Sequence, residues 1–371
     1  MVVVLLFFVA FLGIYRFNAN YDDKLYRLKR TNYWEIAACF ILLYVFFGFR
    51  DLEILNDTNH YYQHFYRTLC SFSGNIFQID LEDRFEPGFL VYENIIAYFF
   101  DDPYAIINVS ALLITALNLF LISRFTNKVP IIIFFMLGTI MLNQYSGIRQ
   151  GLALCMSNIA IWLLMKDKKI WFILLVTLAW TFHSSAIMLY ALLLLHKTPL
   201  NKKTIFITTI AAVVSFLSLG ALLEFVGKGE SVYIEISVER ETFPLAPTLN
   251  FLIGCIFLYL TYKYSKNSAI KIKPLVWWLS ILNVICLLMD IEVQIMARFA
   301  MYFYFYAILL WWIIMQGVHD SVKRKRVISL MAVLILAKMI VIFTLKPEWY
   351  HIDPYGFYDS FGMYKNVETG Y

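Results

Sequence analysis

The sequence predicts an all-α, polytopic membrane protein of about twelve transmembrane helices, and three observations carry that prediction. Of its 371 residues 61% are apolar and 15% charged, where soluble domains carry about 45–50% apolar and about 25% charged residues. The apolar residues form continuous runs without the every-second-residue alternation of a membrane β-barrel, so helices are the spanning elements. Lysines and arginines gather between the runs in short clusters, as in the cytoplasmic loops of multi-pass proteins. The spans consume most of the chain, so 1–371 is expected to be a single integral membrane domain.

The first run, 2–15, has no basic residue before it and no small-residue cleavage site after it. It reads as a span and not as a removable signal peptide. Arg16, Lys24, Arg27, Lys29 and Arg30 follow it, which puts that loop in the cytoplasm and the N-terminus outside. The second span is 34–49, and the polar stretch 50–88 is then a long external loop. Run 89–100 carries Glu93 and as a helix would be about 18 Å long, too short to cross. Spans follow at 104–123, 129–145 and 148–165. Run 170–195 has basic residues on both flanks and must leave and return. Two half-length helices are expected there, broken at Thr181-Phe182-His183-Ser184, where polar groups meet water or protein partners. The remaining spans are 204–225, 249–264, 274–289, 299–315 and 327–345, with an external loop at 227–248 and an external tail at 346–371. In this topology the basic clusters from Arg124 to Arg326 face the cytoplasm and most acids face outward.

Only Cys70 of the five cysteines (Cys39, Cys70, Cys155, Cys255, Cys286) lies outside an apolar run, so neither a disulfide framework nor a thiolate metal site is expected. His60 and His64 stand one helical turn apart, but no Glu follows His60 as in the zincin pattern. No metal, cofactor or nucleic-acid partner is expected.

The polar residues that stand out fall on the expected outer side: Arg50-Asp51, Asp57, His60, Tyr61 and Tyr62, Phe85-Glu86, Gly147-Ile148-Arg149-Gln150-Gly151, Phe182-His183-Ser184, Arg298 and Asp353-Pro354-Tyr355. A guanidinium at the centre of a membrane helix costs roughly 2.5–3.5 kcal/mol, less toward the ends, so Arg50, Arg149 and Arg298 each call for a partner. A loop acid is one such partner. An anionic ligand is the other, because guanidinium presents a planar fork to phosphate oxygens. Gly147 and Gly151 flank Arg149, which would let backbone approach such a ligand, and a helix N-terminus adds N–H groups and a positive dipole. A diphosphate at the outer leaflet is the simplest anion of this kind. His183, Asp57 and Glu86 are candidates to take a proton from an incoming hydroxyl, although each alone is more simply a structural residue. Tyr61, Tyr62, Tyr66, Trp349, Tyr350 and Tyr355 suit either an interfacial aromatic belt or stacking on sugar rings.

Taken in order, Arg50-Asp51, the stretch from Asp57 to Tyr61, Glu86-Pro87-Gly88, Gly147-Ile148-Arg149-Gln150-Gly151, Phe182-His183-Ser184 and Arg298 resemble the EpsG family of polysaccharide biosynthesis proteins, grouped with the Wzy-type O-antigen polymerases. The resemblance covers nearly the whole chain. It implies a GT-C-like glycosyltransferase in the bacterial cytoplasmic membrane that joins oligosaccharide repeat units carried on undecaprenyl diphosphate at the external face. On that reading Arg149, Arg298 and Arg50 hold the diphosphate, His183 or else Asp57 or Glu86 deprotonates the acceptor hydroxyl, and Gln150, Tyr61 and Tyr355 contact substrate. The expected partners are the lipid-linked oligosaccharide and the bilayer, and whether a chain-length regulator joins them stays open. An O-antigen ligase, a flippase of the same lipids and a non-catalytic scaffold are the alternatives. A flippase needs a polar path near the midplane, and Lys338 is the only basic residue well inside a span.

Overall fold

The computed structural model describes residues 7, 10–11, 33–80, 82–217, 244–266, 272–352 and 355–358. Every regular element among them is helical, with one isolated antiparallel bridge between Arg50 and Phe357. In chain order they are α1 (Tyr33–Gly48), α2 (Thr58–Ser71), α3 (Pro87–Phe99), α4 (Ala105–Ser123), α5 (Val129–Ser146), α6 (Ile148–Met165), α7 (Lys169–Phe182), α8 (Ser184–Leu195), α9 (Lys202–Leu217), α10 (Leu245–Ser265), α11 (Pro274–Asp290), α12 (Ile295–Gln316) and α13 (Ser321–Leu345). Among the described residues six of these, α4, α5, α6, α10, α12 and α13, are long and apolar enough to cross a membrane. The molecule is an all-helical, polytopic membrane protein. The expected first span and the basic loop after it lie outside the described residues, apart from Phe7, Ala10 and Phe11. So do 218–225 of the expected span 204–225, nearly all of 227–248, Asp353-Pro354 and 359–371.

Lipid as solvent explains the outer faces. In α7, Phe172, Val176 and Ala179 are buried, yet Ile170, Leu174 and Leu178 on another face are exposed and equally apolar. A water-facing helix would be polar there; a lipid-facing one need not be.

The chain divides into two compact units. The first comprises Met1–Ile159, Thr177–Ser184 and Leu336–Tyr371. In it α1 packs on α4 and α5, and α2 packs on α3 and α4. Phe47 of α1 stacks on Tyr145 of α5 with ring centroids 3.8 Å apart. α5 widens into a π-turn at Leu137–Met141. There Lys338 Nζ donates to the Gly138 carbonyl at 2.8 Å, so the one basic side chain well inside a span is engaged by backbone. The second unit comprises Ala160–Val176 and Ser185–Ile335. Its centre is the α11–α12 pair, with α10 against both. A β-carbon at Gly254 would lie 2.8 Å from Leu287 Cδ1, so α10 and α11 come close only because position 254 lacks a side chain. Asn283 Nδ2 donates to the Ala300 carbonyl at 3.1 Å, tying α11 to α12.

Two features bear on the site. The stretch 50–88 is not loop throughout: it contains α2, a polar helix that buries Thr58, Tyr61, His64 and Phe65. Its apolar stripe is too broken to register as a hydrophobic run, but its turn spacing is helical. The run 170–195 breaks at His183, inside the four residues expected to break it, leaving α7 and the tightly wound α8. At 14 residues α7 is about 21 Å long, short of a bilayer core.

Candidate functional site

The site of the first unit is organised by Glu86. Pro87 occupies the first turn of α3, where its missing N–H costs nothing, and Glu86 precedes it in extended conformation. The carboxylate makes no cap on its own helix. Instead its Oε2 accepts from Arg149 Nη1 at 2.5 Å, and its Oε1 accepts from the Ser184 N–H at 2.9 Å. Oε1 also lies 3.5 Å from His183 Nδ1. Three segments far apart in sequence thus meet at one carboxylate.

Glycine makes that meeting possible. A β-carbon on Gly88 would stand 2.2 Å from Thr181 Oγ1 and 2.8 Å from the Thr181 carbonyl, so only glycine lets the start of α3 lie against the end of α7. Gly151 works the same way within the chain: its β-carbon would fall 2.0 Å from the Gln144 carbonyl. Sequence alone points to Gly151 as an opening for a ligand at the backbone; what it admits is the end of α5.

Arg149 is the second residue of α6. Its guanidinium carbon stands 3.9 Å from the centre of the buried Phe85 ring, a cation–π contact that fixes its direction while Glu86 holds one terminal nitrogen. Its backbone N–H points at the Tyr61 hydroxyl, 3.5 Å away. Tyr61 is buried beside Phe85 and Phe89, with ring centroids 5.8 Å from each. Asp57 is exposed, and its Oδ2 lies 3.9 Å from where a Gly147 β-carbon would stand, so it borders the Arg149 turn. Gln150 is buried in the same turn.

The electrostatics separate the roles of the two central groups. Burial would raise the Glu86 pKa, but the His183 hydrogen bond, the Arg149 charge and the Ser184 N–H outweigh it and bring it down to about 2. A carboxylate so acidic is a poor base at neutral pH. Glu86, expected as a candidate base, is here an anion paired with Arg149, with His183 Nδ1 3.5 Å from its other oxygen.

Arg50 and Tyr355 have a different setting from the one their sequence positions suggested. Arg50 is 1% exposed. Its Nε donates to Thr58 Oγ1 at 2.9 Å, Nη2 to the Tyr145 carbonyl at 2.9 Å, and Nη1 to the Phe47 carbonyl. Burial lowers its pKa to about 10, so it stays a cation, joining the ends of α1 and α5 to the start of α2. Tyr355 stacks on Phe46 with centroids 4.2 Å apart and donates its hydroxyl to the Phe46 carbonyl. The segment 355–358 is held there by Asp51 N–H to the Gly356 carbonyl and Tyr358 N–H to the Phe49 carbonyl, each 2.9 Å. Arg298, half-buried in the first turn of α12, belongs to the second unit.

Sequence reasoning missed a second polar cluster. His64 Nδ1 is 3.0 Å from Glu93 Oε1, and its Nε2 is 3.0 Å from Asp83 Oδ2. Ionised carboxylates only accept, so a ring between two of them is favoured in its protonated, doubly donating form. Burial opposes that charge, but the two carboxylates win and raise the His64 pKa. The signal was Glu93 itself, an acid inside an apolar run, which had to have a buried partner.

A protein-family model described as the EpsG family matches residues 32–357. No curated protein and no solved structure matches.

Proposed function

The chain belongs to the EpsG family, and from that premise, which makes it a membrane protein of polysaccharide biosynthesis, we propose that it is a polymerase. It joins oligosaccharide repeat units carried on undecaprenyl diphosphate at the outer face of the bacterial cytoplasmic membrane. It is a GT-C-like glycosyltransferase of about twelve crossings with both termini outside. The observation that carries this reading is the placing of Glu86 between Arg149, the Ser184 N–H and His183. A cation beside an imidazole suits transfer from a lipid diphosphate.

The donor is a growing glycan whose anomeric carbon is bonded to a diphosphate oxygen. That C–O bond breaks, the electron pair leaves with undecaprenyl diphosphate, and an acceptor hydroxyl oxygen forms the new bond to the anomeric carbon. His183 takes the hydroxyl proton. Arg149 neutralises the charge developing on the departing diphosphate. Asp57 is the alternative base. Arg50 serves through position, holding α2 to the Arg149 turn, while Tyr61 and Gln150 shape the wall next to it. Tyr355 contributes by anchoring the tail to α1.

The ligase reading shares this chemistry and differs in acceptor. The flippase reading has less support, because the Lys338 Nζ inside its span is engaged by the Gly138 carbonyl of the π-turn. Surface polysaccharide from a strain lacking the gene separates them. A polymerase leaves single repeat units on lipid A core, a ligase leaves none attached, and a flippase retains precursors inside.

A further inference from the structure

The first unit also holds a cleft of about 500 Å³ that the reaction above leaves unused, lined by His60, His64, Arg67, Asp83 and Arg84. His60, His64 and Arg67 follow one another at four and three residues on α2, which puts them on one face. Asp83 and Arg84 come from the segment leading into α3. The acid in this wall is already committed: Asp83 Oδ2 faces His64 Nε2 at 3.0 Å, and Oδ1 accepts the Phe85 N–H at 2.8 Å. Arg84 Nη2 lies 3.3 Å from His60 Nδ1. Burial and the Arg84 charge lower the His60 pKa, so that nitrogen accepts from Arg84. The Arg67 side chain makes no hydrogen bond or ion pair among the described residues. Two guanidiniums therefore face this space without a carboxylate of their own.

The cleft also adjoins the reaction centre. The guanidinium carbons of Arg84 and Arg149 lie 5.1 Å and 3.9 Å from the centre of one ring, that of Phe85. One side chain thus separates the cleft from the Arg149–Glu86 pair.

We propose that this cleft binds a second anionic group, a phosphate or a carboxylate, carried by the other glycan at the site. The inference rests on the polymerase reading, in which two carrier-linked glycans meet. The anion is either the diphosphate of the acceptor's carrier or an acidic sugar of the repeat unit. Both offer oxygens that paired guanidiniums recognise.

The test is calorimetric titration of the purified full-length protein in nanodiscs with inorganic pyrophosphate, in an Arg149→Gln background that removes the first anion contact. Pyrophosphate binding is expected to persist in that protein. It should weaken at least about tenfold when Arg67→Gln and Arg84→Gln are added, since two charge-assisted contacts are lost, and largely recover with Arg67→Lys and Arg84→Lys. No binding in the Arg149→Gln protein, or binding indifferent to Arg67 and Arg84, overturns the proposal. A short-chain prenyl diphosphate bearing a neutral sugar and a lipid-free oligosaccharide containing a uronic acid then identify the source, as whichever loses affinity in the glutamine variant. If neither does, the cleft is not a substrate site. Pyrophosphate binding of the expected pattern in a protein that forms no polymer would refute the polymerase and leave the anion site standing, so the two claims fail separately.

Discussion

Glu86 Oε1 stands 3.5 Å from His183 Nδ1, and it reaches that position because Gly88 lets the start of α3 touch Thr181. The carboxylate does not cap the helix it precedes. It spans to the break between α7 and α8, where its Oε1 also accepts the Ser184 N–H.

Gly88→Ala tests the packing behind that contact. The added methyl would meet Thr181 at 2.2 Å and 2.8 Å, the second of these backbone, so α3 must shift. Overpacking of this kind costs about 1–3 kcal/mol. A lowered melting temperature and loss of polymer are expected together. An alanine protein with wild-type melting and activity would show that α3 and α7 do not meet this closely.

Glu86→Gln keeps the shape and removes the charge. The folded pKa of Glu86, about 2, lies below the ordinary value of 4.5. Its ionised form therefore adds stability above about pH 4.5, and that stability is lost as pH falls through about 2. Wild type should melt higher than the glutamine variant at pH 7, with the gap closing below pH 4.5. A gap that grew on acidification would contradict the ion pairs. Polymer formation at neutral pH should fall by about tenfold or more, since Arg149 and His183 both lose their anchor.

His64 works with the opposite sign. Glu93 and Asp83 raise its folded pKa above the ordinary value of 6.5. Its contribution is complete below pH 6.5 and disappears as pH rises through the raised value. The difference in melting temperature between wild type and His64→Gln should shrink from pH 6 to pH 9. A constant difference would mean that the ring is neutral throughout.

Arg50 and Arg149 should separate as structural and functional cations. Arg50→Ala leaves the Phe47 and Tyr145 carbonyls and Thr58 Oγ1 without their donor in a buried site, at about 1–3 kcal/mol for each buried group left unpaired. Poor folding is the expected result, measured by monodispersity and melting in detergent. Arg149→Ala, whose side chain is one-fifth exposed, should fold and lose polymer. The reverse pattern would exchange their roles.

Much of the helical architecture is written in hydropathy. The runs read at 104–123, 148–165 and 274–289 correspond to Ala105–Ser123, Ile148–Met165 and Pro274–Asp290, because in lipid a continuous apolar stretch has no other way to satisfy its backbone. The break at His183 was legible too, since Thr181, His183 and Ser184 lie in the main polar cluster of that run. α2 was not read, because its stripe of Thr58, Tyr61, His64 and Phe65 is amphipathic and forms no continuous apolar run. Nor does a residue's type reveal whether an arginine meets a ligand or carbonyls, as Arg50 demonstrates, or whether a glycine admits a substrate or a neighbouring helix, as Gly88 and Gly151 demonstrate. Those depend on contacts distant in sequence.

The most direct measurement of the central claim is ladder formation by the purified protein on a synthetic undecaprenyl diphosphate-linked repeat unit, comparing wild type with His183→Ala. The wild type should extend the unit into a ladder, and the alanine protein should do so about 10²–10⁴-fold more slowly, the usual contribution of a positioned base. An alanine protein that builds the same ladder at the same rate would contradict His183 as the base and, with it, Glu86 as the group that orients the ring.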